Sequence, residues 1–122
     1  MIAGIGVDLC SVDRMKRALQ SRHFRDEIFS PEEISYCESK GERRYESYAG
    51  AFAAREAFCK ASGAPLMAVM SGENFALLHD DEGVPSIRLT GRLAVQSAKI
   101  FVSISHEKDY AVAMVVIDKE GE

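Results

Sequence analysis

Four residues stand out for the chemistry their types allow: Asp8, Glu56, Lys60 and His106. Asp8 closes a short apolar run that begins at Ile2, and a carboxylate there is a hard oxygen donor. Mg²⁺ is commonly held by one or two carboxylates together with waters and substrate phosphates. Phe52, Glu56 and Lys60 follow one another at i, i+4 and i+8, so on a helix they share one stripe. Ala49, Ala53, Ala57 and Ala61 form an adjacent stripe of small side chains that lets another element approach closely. Glu56 therefore sits beside a packed seam, and it pairs with Asp8 if the first strand meets the middle of this helix. His106 stands at the entry to a tight turn, where an imidazole with a reference pKa of about 6.5 suits a phosphate contact or a proton carrier. The structural alternatives are plain: a turn or cap residue for Asp8, a helical Glu–Lys pair for Glu56 and Lys60, and a solvated turn residue for His106.

The elements that must position these side chains follow from local signals. Ile2–Leu9 reads as a strand that ends at Asp8. Ser11 is placed to cap a helix with Asp13 in its first turn and Met15, Ala18 and Leu19 on its apolar side. Ser30-Pro31-Glu32-Glu33 combines an N-cap serine, a first-turn proline and a glutamate at the third helical position, a capping box, for a short helix ending by Gly41. A third helix spans about Tyr45 to Ser62, closed by Gly63 and Pro65. Asn74–His79 and Ser86–Thr90 flank Asp80-Asp81-Glu82-Gly83 as a hairpin. Gly91–Ala98 is a short helical or irregular crossover. Ile100–Ser105 and Tyr110–Ile117 make a second hairpin around His106-Glu107-Lys108-Asp109. One strand, three helices and then strands predict a single α+β domain over residues 1–122, with helices packed on an antiparallel sheet. Tyr110–Ile117 is apolar on both alternating faces. It is therefore a central strand with helices on one side, and either a neighbouring subunit or more of the same chain on the other.

Composition removes other classes. The 122 residues carry 15 Lys+Arg and 19 Asp+Glu, a net charge of −4, with no bulk basic footprint for nucleic acid. No apolar run is long enough to span a bilayer. MIAGIGVDLC lacks the basic and apolar regions of a signal peptide. The three cysteines, Cys10, Cys37 and Cys59, fit neither a disulfide framework nor a zinc site and read as partly buried thiols of a cytoplasmic protein. Gly4-x-Gly6 is no dinucleotide fingerprint, and Walker, HExxH and Gly-x-Ser-x-Gly patterns are missing. The charge is unevenly placed, however. Arg14, Lys16, Arg17, Arg22 and Arg25 lie in twelve residues with His23 and no acid, which leaves the remainder of the chain at −9. That stretch reads as a docking surface for an acidic partner, with Phe24 as an exposed aromatic anchor, or else as a solvated helix face.

Three segments, taken in order, resemble the motifs of 4′-phosphopantetheinyl transferases: Gly4-Ile-Gly-Val-Asp8-Leu, Phe52-Ala-Ala-Arg-Glu56-Ala-Phe-Cys-Lys60-Ala, and Ser103-Ile-Ser-His106. Phe29-Ser-Pro-Glu-Glu33 resembles a further segment between the first two. The likeness runs the length of the chain and is to the short, single-copy type, not to members that resemble two fused copies. It implies transfer of phosphopantetheine from coenzyme A to a serine of apo acyl carrier protein, in fatty acid biosynthesis. It also implies Mg²⁺ on Asp8 and Glu56, and catalytic roles for Glu56, Lys60 and His106. Coenzyme A contacts from Arg43, Lys60, Gly63 and His106 are implied as well, as is carrier docking through Arg14, Arg22, Phe24 and Arg25. The family likeness further implies a homotrimer with active sites between subunits. Glu56, a metal-bound water and His106 are the three candidate bases for the serine proton.

Two positions depart from the family pattern. Arg55 replaces a lysine, which keeps the charge and changes the geometry. Ala51 stands where a basic residue is frequent, so an adenosine-phosphate contact shifts to Arg43 or Arg44. Two other functions fit the same residues: a non-catalytic carrier-binding module with a degenerate site, and a Mg²⁺-dependent nucleotide pyrophosphohydrolase.

Overall fold

A computed structural model describes residues 1–94 and 98–120 of the chain. Strand β1 (Ile2–Ser11) leads into helix α1 (Val12–Ala18), α2 (Arg22–Ile28) and α3 (Pro31–Glu38). A 3₁₀ turn at Gly41–Arg43 precedes the long helix α4 (Arg44–Ser62), and the short α5 (Leu66–Val69) follows it. Strands β2 (Phe75–His79) and β3 (Pro85–Leu89), a 3₁₀ turn at Gly91–Leu93, and strands β4 (Ala98–His106) and β5 (Tyr110–Lys119) complete the order.

The class is α+β, and the main sheet is antiparallel in the order β1-β5-β4. Strand β5 is central, as its two apolar faces require. Its alternate residues Ala111, Ala113, Val115 and Ile117 are buried on the side that faces α4. The opposite face is apolar and open. The strand pairings set Ile5, Val116 and Phe101 in one row and Val7, Met114 and Ser103 in the next. Ile5, Val7, Leu9, Phe101 and Met114 are all about half exposed there.

Several local expectations hold for the reasons given. Ser11 Oγ accepts from the Arg14 amide at the start of α1. Ser30 and Glu33 form the reciprocal capping box at α3. Gly63 ends α4 in the left-handed region at φ 74°, where its amide donates to the Cys59 carbonyl. Cys10, Cys37 and Cys59 are free thiols, the first two buried and the third half-buried.

Three expectations need correction. Strand β1 continues to Ser11 because its pairing with β5 continues to Tyr110, so Asp8 lies inside the strand and does not end it. The basic stretch is divided between two helices. Ser21 Oγ accepts from the Phe24 amide and starts α2, a cap signal that the surrounding arginines hid. The β2–β3 hairpin forms as predicted but as a separate two-stranded sheet. The predicted crossover opens with the 3₁₀ turn, and its residues 95–97 lie outside the described part of the chain.

Candidate active site

The site begins with two glycines. Gly4 and Gly6 lie on the inner face of β1, and a Cβ on either would overlap a backbone carbonyl oxygen of α4, that of Ala61 or Ala57 respectively. With Ala57 fully buried and Ala61 half-buried on the facing helix, the two backbones come into direct contact. This is the close approach that the alanine stripe predicts. It also accounts for Gly4-x-Gly6 without a nucleotide loop.

That contact brings Asp8 against the middle of α4. Lys60 Nζ donates to Asp8 Oδ1 at 2.8 Å and to the Val7 carbonyl at 3.0 Å. Asp8 is 15% exposed and Lys60 is 59% exposed. Glu56, one helical turn before Lys60, faces the same cavity as Asp8. Burial chiefly, and then the neighbouring Asp8 carboxyl, push the Glu56 carboxyl up to about 7. Lys60 is held above its usual range mainly by its bond to Asp8. Two carboxylates crowded in this way have an unmet demand for positive charge. Among the described residues no third His, Cys, Asp or Glu joins them. The donor set therefore fits a hard divalent cation that completes its shell with water and phosphate oxygens, as Mg²⁺ does.

Asp8 and Glu56 open into a cavity of about 440 Å³ that Arg14, Met15, Phe24 and Phe52 also line. The expected metal pair and two of the expected docking residues thus share one space. Phe24 is not the projecting anchor that the sequence suggests. It is half-buried, with its ring 6.3 Å from those of Phe29 and Phe52, and serves as a wall. Arg22 and Arg25 line a different groove with Arg44, Tyr45 and Tyr48, and Arg25 is engaged by Asp26 at 3.0 Å.

His106 belongs to a second cluster. Asp8, Ala113 and Ile104 make one row on the inner face of the sheet, and Cys10, Ala111 and His106 make the next. Strand spacing and rise put roughly 12 Å between the Asp8 and His106 backbones. Beside His106, Tyr36, Ser47, Gly50, His79 and Pro85 help line a cavity of about 120 Å³. His106 Nδ1 lies 3.1 Å from Glu46 Oε1, and Arg43 Nε lies 3.7 Å from Glu46 Oε2. Sequence reasoning missed Glu46, and nothing in its spacing marks it. Gly63 stands apart from both cavities at the end of α4.

Arg55 does not face either site. It is fully buried and paired with Glu33. Asp8, Glu56 and Lys60 stand together, as the sequence motifs predict.

Comparison with known proteins identifies the family. Residues 4–115 match the model of the 4′-phosphopantetheinyl transferase superfamily. A holo-[acyl-carrier-protein] synthase of Ruminiclostridium cellulolyticum is 40% identical over 120 residues, covering 93% of this chain and 90% of that protein. The structure of a holo-(acyl-carrier-protein) synthase from Bacillus anthracis in complex with CoA (3′,5′-ADP) superposes with a TM-score of 0.83. It is 33% identical and covers 98% of this chain and 99% of that one. A Chronobacterium ammoniagenes ACPS–CoA complex superposes with a TM-score of 0.81 at 28% identity, covering 97% and 98%. With its three motifs in place on the matching fold, the chain belongs to the 4′-phosphopantetheinyl transferase superfamily.

Proposed function

We propose that the chain transfers the 4′-phosphopantetheine group of coenzyme A to a serine hydroxyl of apo acyl carrier protein, the reaction of a holo-[acyl-carrier-protein] synthase. The serine oxygen bonds to the phosphorus that bears pantetheine. The bridging pyrophosphate bond breaks, and adenosine 3′,5′-bisphosphate leaves. The observation that carries this reading is the cavity in which Asp8 and Glu56 stand beside Arg14 and Phe24. It offers a site for a cation and a pyrophosphate that opens onto a basic helix.

Asp8 and Glu56 would hold Mg²⁺, which would supply positive charge to offset the negative charge that develops as the pyrophosphate bond breaks. Lys60 adds a second cation on the same stripe, and its exposed ammonium is free to exchange Asp8 for a phosphate oxygen. His106, with Arg43, binds the phosphates of the adenosine end. Of the two side chains able to take the serine proton, Glu56 lies in the carrier-side cavity and His106 does not. Gly63 turns the chain sharply after Lys60 at the end of α4, and the family resemblance alone gives it a coenzyme A contact. Arg14, Arg22 and Arg25 draw the acidic carrier protein, with Phe24 shaping the entrance.

Within one chain the His106 cluster lies at the first turn of α4 and the Asp8–Glu56 pair beside its middle. The open apolar face of the sheet is suited to a second copy of the chain. The proposed assembly is therefore a homotrimer over residues 1–122 with active sites between subunits, working in the cytoplasm. Among the described residues no helix is long and apolar enough to cross a membrane. The test is direct: with Mg²⁺ and coenzyme A, an apo carrier protein gains the mass of one phosphopantetheine. No gain overturns the reading, and release of adenosine bisphosphate without any carrier identifies a pyrophosphohydrolase instead.

A further inference from the structure

Two of the residues expected to contact coenzyme A, His106 and Arg43, converge on one residue that no motif includes. Glu46 lies in the first turn of α4, and its carboxylate is 17% exposed. One oxygen meets His106 Nδ1 at 3.1 Å, at the end of β4, and the other faces Arg43 Nε at 3.7 Å. We infer that Glu46 is a positioning residue: it fixes the ring orientation and tautomer of His106 and so presents the other imidazole nitrogen to the phosphate of the adenosine end of coenzyme A. The inference rests on the transferase reading for the identity of the ligand, but its geometry does not.

The chemistry is constrained. An ionised carboxylate only accepts hydrogen bonds, so the proton at this contact sits on Nδ1. Nε2 is then the nitrogen left for a ligand, and a neutral ring with Nδ1 protonated presents Nε2 as an acceptor. In the doubly protonated ring Nε2–H is the donor that a phosphate oxygen accepts from, while Nδ1–H stays with Glu46. The ring thus meets a phosphate without reorienting. Arg43 is 74% exposed, and Glu46 also limits where its guanidinium rests. Residues across a strand end and a helix start are in this way tied to one carboxylate, at the rim of the cavity lined by His106, His79 and Ser47.

Two variants separate positioning from a structural role. Glu46→Gln keeps an acceptor for Nδ1–H, and Glu46→Ala removes it. The ring nitrogens of the three histidines are followed by long-range ¹H–¹⁵N spectra of the assembled protein above the imidazole pKa, with His106 assigned by its loss in His106→Asn. The wild type and Glu46→Gln show the Nδ1–H tautomer at His106, and Glu46→Ala shifts toward Nε2–H. In the transfer assay Glu46→Ala raises the KM for coenzyme A on the order of tenfold, the scale of one lost charge-assisted hydrogen bond, with little change in kcat. Glu46→Gln restores most of it. An Nε2–H tautomer in the wild type, the same tautomer in Glu46→Ala, or an unchanged KM overturns the inference. The spectra need no turnover, so an inactive wild type would sink the transferase reading and leave the tautomer result standing.

Discussion

Glu33 and Arg55 form a fully buried two-point pair, with Arg55 Nη2 to Glu33 Oε1 at 2.6 Å and Nη1 to Oε2 at 2.7 Å. Glu33 is also the capping glutamate of α3. Its oxygens accept from the Ser30 and Leu77 amides. Arg55 donates further to the Phe75 and Ala51 carbonyls and lies against the Phe29 and Phe75 rings. One ion pair therefore ties α3, α4 and β2 together. Arg55 points into this hub, away from the two cavities, so its departure from the family's lysine bears on packing.

Breaking the hub should cost stability more than catalysis. Glu33→Ala leaves a buried guanidinium unpaired, and Arg55→Ala leaves a buried carboxylate, so each should destabilise by about 3–5 kcal/mol. Arg55→Lys keeps one charge contact but loses the fork and the Phe75 carbonyl, for a loss on the order of 1–3 kcal/mol. Denaturant unfolding measures both. The KM for coenzyme A of Arg55→Lys should stay near the wild-type value, and a tenfold rise would place Arg55 in substrate binding.

The contact between β1 and α4 predicts a sharp effect at Gly6. Its Cβ would meet the Ala57 carbonyl, which is backbone and has no rotamer by which to yield. Gly6→Ala should push the helix from the strand, separate Glu56 from Asp8, and lower Mg²⁺ affinity more than tenfold. Isothermal titration with Mg²⁺ checks this in the variant that still folds, as judged by its circular dichroism. Unchanged affinity would mean that the carboxylate pair does not depend on the seam.

The Glu56 carboxyl sets a pH dependence with a definite sign. Its ordinary value is 4.5, and burial beside Asp8 pushes it up to about 7. Between those values the folded state holds a proton that the unfolded state has lost, so this group's contribution to stability falls as pH rises from about 4.5 to 7 and is level above. Mg²⁺ at the proposed Asp8–Glu56 site would compete with that proton, so its affinity should climb with pH through the same window and flatten above about 7. Thermal unfolding with and without Mg²⁺ across the window checks both trends. Glu56→Gln should flatten them, and a variant that kept the wild-type slope would assign the titration to another group.

Much of this arrangement was legible in the sequence, for physical reasons that can be named. The i, i+4, i+8 stripe and the neighbouring alanines located Glu56 and Lys60 beside a seam. The two-faced apolarity of Tyr110–Ile117 located the central strand. The capping box marked Glu33, but its second role was hidden, because nothing local links it to Arg55, 22 residues away. Glu46 escaped notice for the same reason: its partner His106 is 60 residues distant and meets it only when β4 closes the sheet. Phe24 was misjudged as exposed because the burial of a residue among arginines is decided by Phe29 and Phe52, which other elements bring to it.

The open face of the sheet gives the last prediction. Ile5, Val7, Leu9, Phe101 and Met114 are about half exposed along three paired strands, a contiguous apolar surface that a monomer would leave in water. In the proposed trimer this face is buried between copies. A lysine at Met114 or an aspartate at Val7 would place an unpaired charge in that interface, and neither side chain is needed for the core beneath. Light scattering after size exclusion should give a mass of three chains for the wild type and one for Val7→Asp, with the circular dichroism spectrum retained. Transferase activity should fall with the assembly, because in the proposed trimer each coenzyme A site is completed between two subunits. A monomeric wild type with full activity would overturn the shared site. A trimeric Val7→Asp would move the interface to another face.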